Sequence, residues 1–134
     1  MAIRKLDHVN IRTPHLEATI AFYGDVLGMR TAPPLGMAGE ITDAAWIYDD
    51  SGAAALHVGR AGTPYPGDDG IAPPADPGSA MVHHVAFDCD DHGGMLGRIE
   101  AAGVEHFRND LPAFGLRQIF ARDPNGVLVE LNFR

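Results

Sequence analysis

The chain contains an internal repeat, and this repeat limits its possible folds more than any other feature does. The run LDHVNI, which contains His8, resembles the later run VHHVAF, which contains His84. Each run is typical of a β-strand, and each precedes a segment with the periodicity of a helix. The helices are predicted to end at Gly28 and Gly103, whose separation along the chain equals that of the two histidines to within one residue. We therefore predict two copies of one small module.

Each module is predicted to contain one strand, one helix and three further strands. The first helix is expected to open with Thr13 as its cap and Pro14 at its first position, and the second is expected to open at Asp90 and Asp91. Runs of β-type residues, broken by turn residues, follow both helices. The further strands are predicted at residues 29–32, 41–49 and 53–58 in the first module and at residues 104–108, 115–121 and 127–133 in the second.

A segment rich in proline and glycine separates the two modules. Long loops in compact domains are often lids or linkers, and the sequence leaves both interpretations open for this segment. We predict a single α+β domain over residues 1–134, with module one at about residues 1–60, the linker at about 61–80 and module two at about 81–134.

The alternation of side chains along the strands predicts a shared polar face. Neighbouring side chains in a strand point to opposite faces of a sheet. In four of the predicted strands, one face is strongly apolar and can cover the helix of its module. The opposite face is small or polar and carries one residue able to bind a metal ion, and these residues are His8, His57, His84 and Glu130. A sheet curved around this face would bring the four together.

Three imidazoles and one carboxylate suit a divalent transition metal such as zinc, nickel, manganese, cobalt or iron. Calcium and magnesium suit them less well, because these ions prefer oxygen ligands. A single strand histidine is more often structural or exposed than a ligand. Here, however, all four residues are predicted on the strand face opposite the helix. They also agree in repeat position, since His8 corresponds to His84 and His57 corresponds to Glu130. Glu130 is in addition a candidate general base.

The composition narrows the choice of partners. The net charge of −8 argues against nucleic acid or an anionic membrane as the main partner, and the apolar runs are far too short to span a bilayer. The chain has one cysteine, Cys89, so no intrachain disulfide can form, which fits a reducing cytoplasm. We therefore predict a cytoplasmic protein that acts on a small molecule.

Four motifs cover nearly the whole chain apart from the linker. They are LDHV at residues 6–9, FYGDVLGM at 22–29, HVAF at 84–87 and DPNGVLVEL at 123–131. In order and spacing they resemble the vicinal oxygen chelate superfamily, which includes glyoxalase I, methylmalonyl-CoA epimerase, fosfomycin-resistance thiol transferases, extradiol dioxygenases and bleomycin-binding proteins. The resemblance implies paired βαβββ modules that form a cupped, open mixed β-barrel with the helices outside. It also implies a homodimer.

The metal positions of this superfamily match His8, His57, His84 and Glu130 one by one. The resemblance further implies that the metal chelates two neighbouring oxygens of the substrate. His57 departs from the family pattern, because glyoxalase I has a glutamate and the epimerase a glutamine at this position.

Three functional hypotheses follow from the resemblance. The leading hypothesis is an isomerase or lyase that acts on a small oxygenated substrate. If His57 does not coordinate, the remaining two histidines and one carboxylate resemble the ferrous site of an extradiol dioxygenase. The third hypothesis is a non-catalytic, antibiotic-binding resistance protein, although bleomycin-binding members generally lack the ligands.

Other residues are candidates for the substrate pocket. Asn10 and Arg12 share the face of His8 and are candidates to orient substrate oxygens, while Trp46 and Phe114 are candidates to line the pocket. Core packing explains the two aromatic residues equally well. The remaining histidines and the cysteine are given no catalytic role. His15, His92 and His106 are predicted at the surface, and Cys89 is predicted to be a buried, unreactive thiol. His83 is predicted to be structural, or a lesser alternative to His84 as the ligand if the strand register differs by one residue.

Overall fold

The computed structural model describes residues 6, 8–34, 37, 39, 41–63 and 84–134. The chain divides into two compact units, residues 1–63 and residues 64–134. Both units have the predicted order of one strand, one helix and three strands, so the α+β fold with paired βαβββ modules is confirmed. The elements are β1 (Val9–Thr13), α1 (Leu16–Ala21), a π-helical turn (Phe22–Val26), β2 (Arg30–Ala32), β3 (Ala44–Tyr48) and β4 (Leu56–Arg60) in the first unit, and β5 (His84–Cys89), α2 (His92–Ala101), β6 (His106–Leu111), a 3-10 turn (Pro112–Phe114), β7 (Leu116–Arg122) and β8 (Leu128–Phe133) in the second.

The two units build their sheets in the same way. The strand order is β1-β4-β3-β2 in the first unit and β5-β8-β7-β6 in the second. The first strand of each unit runs parallel to the fourth, and the other neighbours are antiparallel. The fourth strand therefore lies between two partners in both sheets, and it is the strand that carries His57 in one unit and Glu130 in the other.

The same turn precedes the fourth strand in both units. Oδ1 of Asp49 accepts hydrogen bonds from the backbone N–H groups two and four residues later, at 2.9 and 3.0 Å. Oδ1 of Asp123 does the same at 2.8 and 2.9 Å. Gly52 and Gly126 occupy equivalent places, with φ angles of 85° and 82° that suit glycine. The Asp123 turn continues directly into the register of β7 and β8, whereas one extra residue separates the Asp49 turn from the register of β3 and β4.

One face of each sheet packs on the helix of its own unit, as the alternation predicts. Complete burial of one large apolar side chain contributes roughly 1.5–3 kcal/mol, so the burial of these faces stabilises both units. The buried apolar residues are Ile11, Leu16, Phe22, Tyr23, Leu27, Ala45, Ile47, Leu56 and Val58 in the first unit, and Met95, Ile99, Ile119, Ala121, Val129, Leu131 and Phe133 in the second.

The first helix begins later than the sequence predicts. Thr13 is the last residue of β1, where it pairs with Arg60, and its Oγ1 accepts a hydrogen bond from the backbone N–H of His15 at 2.8 Å. The helix then starts at Leu16. The predicted cap at Thr13, with Pro14 at the first helical position, is therefore wrong, because strand pairing keeps Thr13 in the sheet.

Most of the predicted linker, from residue 64 onward, and His83 lie outside the described residues. Among the residues that the structure does describe, no helix has the length and hydropathy that a membrane crossing requires.

His92 is buried, and its predicted surface position is wrong. It is the first residue of α2, it is 7% exposed, and its ring packs edge-to-face on Phe133 with a centroid distance of 4.9 Å. Its Nε2 has no hydrogen-bond partner within the described part of the chain. Desolvation, assisted by the positive charges of Arg117 and Arg108, holds the pKa of His92 below its usual range.

We predict that His92 makes the protein less stable in acid. The pKa of an unfolded histidine is about 6.5, and the folded pKa is lower, so protons bind preferentially to the unfolded chain. The stabilisation is complete above about pH 6.5 and is lost as the pH falls from there through the folded pKa. Urea unfolding near neutral pH and near pH 5 measures this loss. In His92→Phe, which keeps a ring against Phe133, the loss should be smaller, and an equal loss in both proteins would contradict the prediction.

Candidate metal centre

Three rings stack on the sheet face opposite α1 in the first unit. The pairing of β3 with β4 places Trp46 directly across from His57, and the two rings are stacked with centroids 4.3 Å apart and planes inclined by 3°. His8, which immediately precedes β1, also stacks on His57, at 3.7 Å and 14°. Because β1 and β3 flank β4, the imidazole of His57 is held between the other two rings.

This stack limits how His8 and His57 can share a metal ion. The lone pair of an imidazole nitrogen lies in the plane of the ring, and a zinc–nitrogen bond is about 2.0–2.1 Å long. Two nearly parallel rings whose centroids are 3.7 Å apart do not direct their lone pairs at one point. Binding of one ion by both residues therefore requires one ring to turn out of the stack, whereas binding by one of them alone does not.

Arg12 and Asn10 lie on the same sheet face as the stacked rings. β1 pairs Asn10 with His57 and Arg12 with Gly59, and both β1 residues are exposed. The guanidinium of Arg12 lies over Gly59, where an added Cβ would collide with Nη1, and its Nη2 donates a hydrogen bond to the carbonyl of Thr63 at 2.9 Å. The missing side chain at Gly59 thus allows a cation to lie along the sheet beside the predicted ligands.

In the second unit, Glu130 accepts hydrogen bonds from two amide side chains. Nε2 of Gln118 and Nδ2 of Asn132 donate to Oε1 of Glu130, at 3.0 and 2.9 Å. Nε2 of Gln118 also donates to Oδ1 of Asn132 at 2.9 Å, and Nδ2 of Asn109 donates to Oε1 of Gln118 at 2.7 Å. Together Asn109, Gln118, Asn132 and Glu130 form a connected group, here called the amide network, around the predicted carboxylate ligand.

An aromatic residue of the third strand faces the predicted ligand of the fourth strand in both units. Trp46 lies across from His57, and Phe120 lies across from Glu130. Phe120 is stacked on Phe107, with centroids 4.7 Å apart and planes inclined by 5°. The common arrangement places an aromatic surface beside each predicted ligand of the fourth strands.

Phe114 lies in a turn, whereas Trp46 lies in a strand across from a predicted ligand. It lies in the 3-10 turn between β6 and β7 and is 80% exposed. The predicted role of Phe114 in substrate binding stays a prediction.

The four predicted ligands are divided between the units. His8 and His57 are in contact in the first unit, and the second unit contributes Glu130 and His84. β5 begins at His84 and pairs Ala86 with Glu130, but the side chain of His84 lies outside the part of the structure that is described. Among the described side chains, no three His, Cys, Asp or Glu residues form a group that could hold a metal ion.

The chemistry of the donors fits a divalent transition metal. Imidazole nitrogens and a carboxylate are the usual ligands of such ions. Residues that bind metals are normally held by further hydrogen bonds, and Glu130 has such bonds from Gln118 and Asn132. The assignment of all four residues to one ion stays a prediction.

The sequence reasoning missed Gln118, Asn109 and Phe107. Alternation along β7 places Gln118 on the face opposite Ile119, which is the face of Glu130. The turn at Asp123 then sets the pairing of Gln118 with Asn132. These two patterns together would have located Gln118 beside the predicted ligand.

Cys89 agrees with its predicted role as an unreactive thiol. It is half-buried at the end of β5, and its Sγ donates to the carbonyl of Phe87 at 3.6 Å. Desolvation raises the pKa of Cys89 to about 11. The reactive thiolate is therefore scarce at neutral pH.

A groove of about 290 Å³ lies on the helix side of the first sheet. Its lining includes Leu16 and Ile20 of α1 together with Asp25 and Thr31. It contains none of the predicted ligands, because His57 and Trp46 lie on the other face of that sheet.

A family model described as the Glyoxalase/Bleomycin resistance protein/Dioxygenase superfamily matches residues 5–131. The chain belongs to this superfamily. A comparison with curated proteins gives no match.

Solved structures of similar proteins align with almost the whole of this chain. TioX from Micromonospora sp. ML1 is 25% identical, with a TM-score of 0.67, and the match covers 95% of this chain and 94% of TioX. Lactoylglutathione lyase from Agrobacterium tumefaciens is 20% identical, with a TM-score of 0.62 and coverage of 99% and 96%. An integron cassette protein from V. cholerae is 21% identical, with a TM-score of 0.69 and coverage of 99% and 97%. The similarity to the lyase and to the integron cassette protein, both below 25% identity, shows a shared fold.

We predict that Gly59→Ala destabilises the protein by displacing Arg12. The new Cβ would collide with the guanidinium and break its hydrogen bond to Thr63, at a cost of about 0.5–1.5 kcal/mol. The free energy of unfolding in urea measures this cost. Gly93→Ala is the comparison without a collision, because a Cβ there meets nothing within 4 Å, and alanine in place of this helical glycine of α2 should stabilise the protein by about 0.5–1 kcal/mol.

The same prediction can be tested with a double-mutant cycle. In an Arg12→Ala background, no guanidinium covers Gly59, so Gly59→Ala should cost less than it does in the parent protein. An equal cost in both backgrounds would show that Arg12 does not occupy this space.

Proposed function

We propose that this protein is a metal-dependent, glyoxalase-like enzyme of the isomerase or lyase type, with His8, His57, His84 and Glu130 as ligands of one divalent transition metal. The proposed substrate is a small molecule with two neighbouring oxygens. The main support is that the predicted ligands belong to the polar faces of the two sheets, where other side chains contact His57 and hold Glu130. Glu130 is held by the amide network, and His57 contacts His8, although one of these two rings must turn out of the stack for both to bind the ion.

The residues around these ligands have roles that follow from their chemistry. A divalent metal bound there would stabilise negative charge on the substrate oxygens. Glu130 would hold the metal and act as the general base that takes a proton from the substrate. Arg12 would attract a carboxylate or another anionic oxygen, and Asn10, exposed on the same face, would donate or accept a hydrogen bond.

The proposed partner is a small molecule, and the protein is proposed to be a cytoplasmic homodimer. The superfamily contains both enzymes and binding proteins, and its members bind small molecules. The homodimer and the cytoplasmic location stay predictions.

We predict that the purified protein contains a stoichiometric divalent metal and that the double variant His8→Ala, Glu130→Ala loses it. Elemental analysis of protein prepared without chelator measures the content, and nickel, zinc, manganese or cobalt would support the isomerase or lyase function. His15→Ala is the matched control, since His15 is exposed and precedes α1. Absence of metal even after reconstitution would refute the proposal and favour a non-catalytic binding protein.

An extradiol dioxygenase with ferrous iron is the second candidate, and the ring stack is the observation that favours it. His57 lies between Trp46 and His8, and the near-parallel rings do not allow His57 and His8 to bind one ion without a change of ring orientation. If His57 stays in the stack, His8, His84 and Glu130 would supply two imidazoles and one carboxylate. This set resembles the three-residue iron sites that leave positions open for substrate and oxygen.

We predict that His57→Ala separates the two candidates. If His57 is a ligand, the affinity for cobalt should fall by more than about 10–100-fold, which is what an outer-shell change costs. If the dioxygenase assignment holds, His57 is only a neighbour of the ligand His8, so the fall should stay within about 10–100-fold, and the parent protein with ferrous iron should consume oxygen in the presence of a catechol. Trp46→Leu is the control, because it removes one side of the stack and leaves the imidazole in place.

A further inference from the structure

Gln118 is a buried polar side chain whose hydrogen-bonding groups are all directed into the amide network. It lies in β7, is 8% exposed, and pairs with Asn132 across the sheet. Its Nε2 donates to Glu130 at 3.0 Å and to Asn132 at 2.9 Å, while its Oε1 accepts from Asn109 at 2.7 Å. Both N–H groups of the amide are therefore used inside the protein.

These hydrogen bonds define the orientation of the amide. If the amide were turned over, its oxygen would face the two acceptor oxygens of Glu130 and Asn132, and its NH₂ group would face the NH₂ group of Asn109. Both changes replace attraction by repulsion, so only one orientation satisfies the amide network. Asn109 therefore holds the oxygen of the Gln118 amide, and this keeps the NH₂ group of Gln118 directed at Glu130.

The amide network also fixes the rotation of the Glu130 carboxylate. Oε1 accepts from Nε2 of Gln118 and from Nδ2 of Asn132. Two donors on one oxygen make the two carboxylate oxygens inequivalent and oppose rotation about the last side-chain torsion angle. A carboxylate held in this way is ready to bind without first losing rotational freedom.

The first unit has no such group at the equivalent positions. Glu130 corresponds to His57, and the pair Gln118–Asn132 corresponds to the pair Ala44–Gly59. Ala44 and Gly59 have no side-chain donors. The buried amide is thus found beside Glu130, whereas the guanidinium of Arg12 lies over Gly59 in the corresponding place beside His57.

We propose that Gln118 is a positioning residue that sets the orientation of Glu130 toward the metal ion, with Asn109 holding Gln118 in turn. The proposal rests on the function proposed above. Partners of metal ligands typically contribute about 10–100-fold to metal affinity. A role confined to folding would instead change stability and leave the affinity of the folded protein unchanged.

The test compares Gln118→Met, which keeps the length of the side chain and removes its hydrogen bonds, with the parent protein. Cobalt affinity is measured by competition with a chromophoric chelator, and the thermal stability of the metal-free protein is measured in parallel. We expect cobalt binding to weaken by about 10–100-fold and the visible spectrum of the bound cobalt to change. Ile119→Val is the matched control, because the neighbouring residue is buried on the other face of β7 and its truncation disturbs the core without touching Glu130.

A second variant covers the case in which Gln118→Met does not fold. Asn109→Leu leaves Gln118 beside Glu130 but removes the donor that holds Oε1 of Gln118, and it should weaken cobalt binding more than Ile119→Val does. If the parent protein binds cobalt and both network variants bind it as tightly as Ile119→Val, the positioning role is refuted and the proposed function stands. If the parent protein binds no metal, both are refuted.

Discussion

The pairing of the third strand with the fourth in each unit is the constraint on which the candidate site depends, because it decides which sheet face carries His57 and which carries Glu130. The turns between these strands are held by Asp49 and Asp123, whose carboxylates each accept hydrogen bonds from two backbone N–H groups. The Asp49 turn is separated from the β3–β4 register by one extra residue. A shift of one residue in β4 or β8 would move His57 or Glu130 to the helix side of its sheet. His57 and Glu130 thus owe their faces to pairing with third strands that contain no predicted ligand.

The sequence was sufficient to predict the fold and the faces of the strands. The repeat gave the order of strand, helix and three strands, and the alternation of apolar residues separated Leu131 and Val129 from Glu130 correctly. These features are local, because they depend on spacing along one strand or helix. The family model that matches residues 5–131 agrees with them.

Contacts between strands could not be predicted from the spacing of residues along a single strand or helix. The stack of His57 with Trp46, the approach of Arg12 to Gly59 and the hydrogen bond from Gln118 to Glu130 all depend on which residues meet across a sheet. The burial of His92 depends likewise on where the start of α2 meets the end of β8. Single-strand periodicity carries no information on these distances, so the ring stack in particular could not be foreseen, although it decides how His8 and His57 can act together.

The separate pairing of third and fourth strands in each unit affects how such a protein can diversify. Each unit pairs its own third and fourth strands, so the residue at position 57 and the residue at position 130 are placed by separate sets of backbone hydrogen bonds. An exchange of imidazole for carboxylate at one position changes the charge and the coordinating atoms without altering the backbone that presents the other. Over evolutionary time, the two halves of the duplicated chain can therefore change their reactive groups separately, and new reactions can arise on an unchanged scaffold.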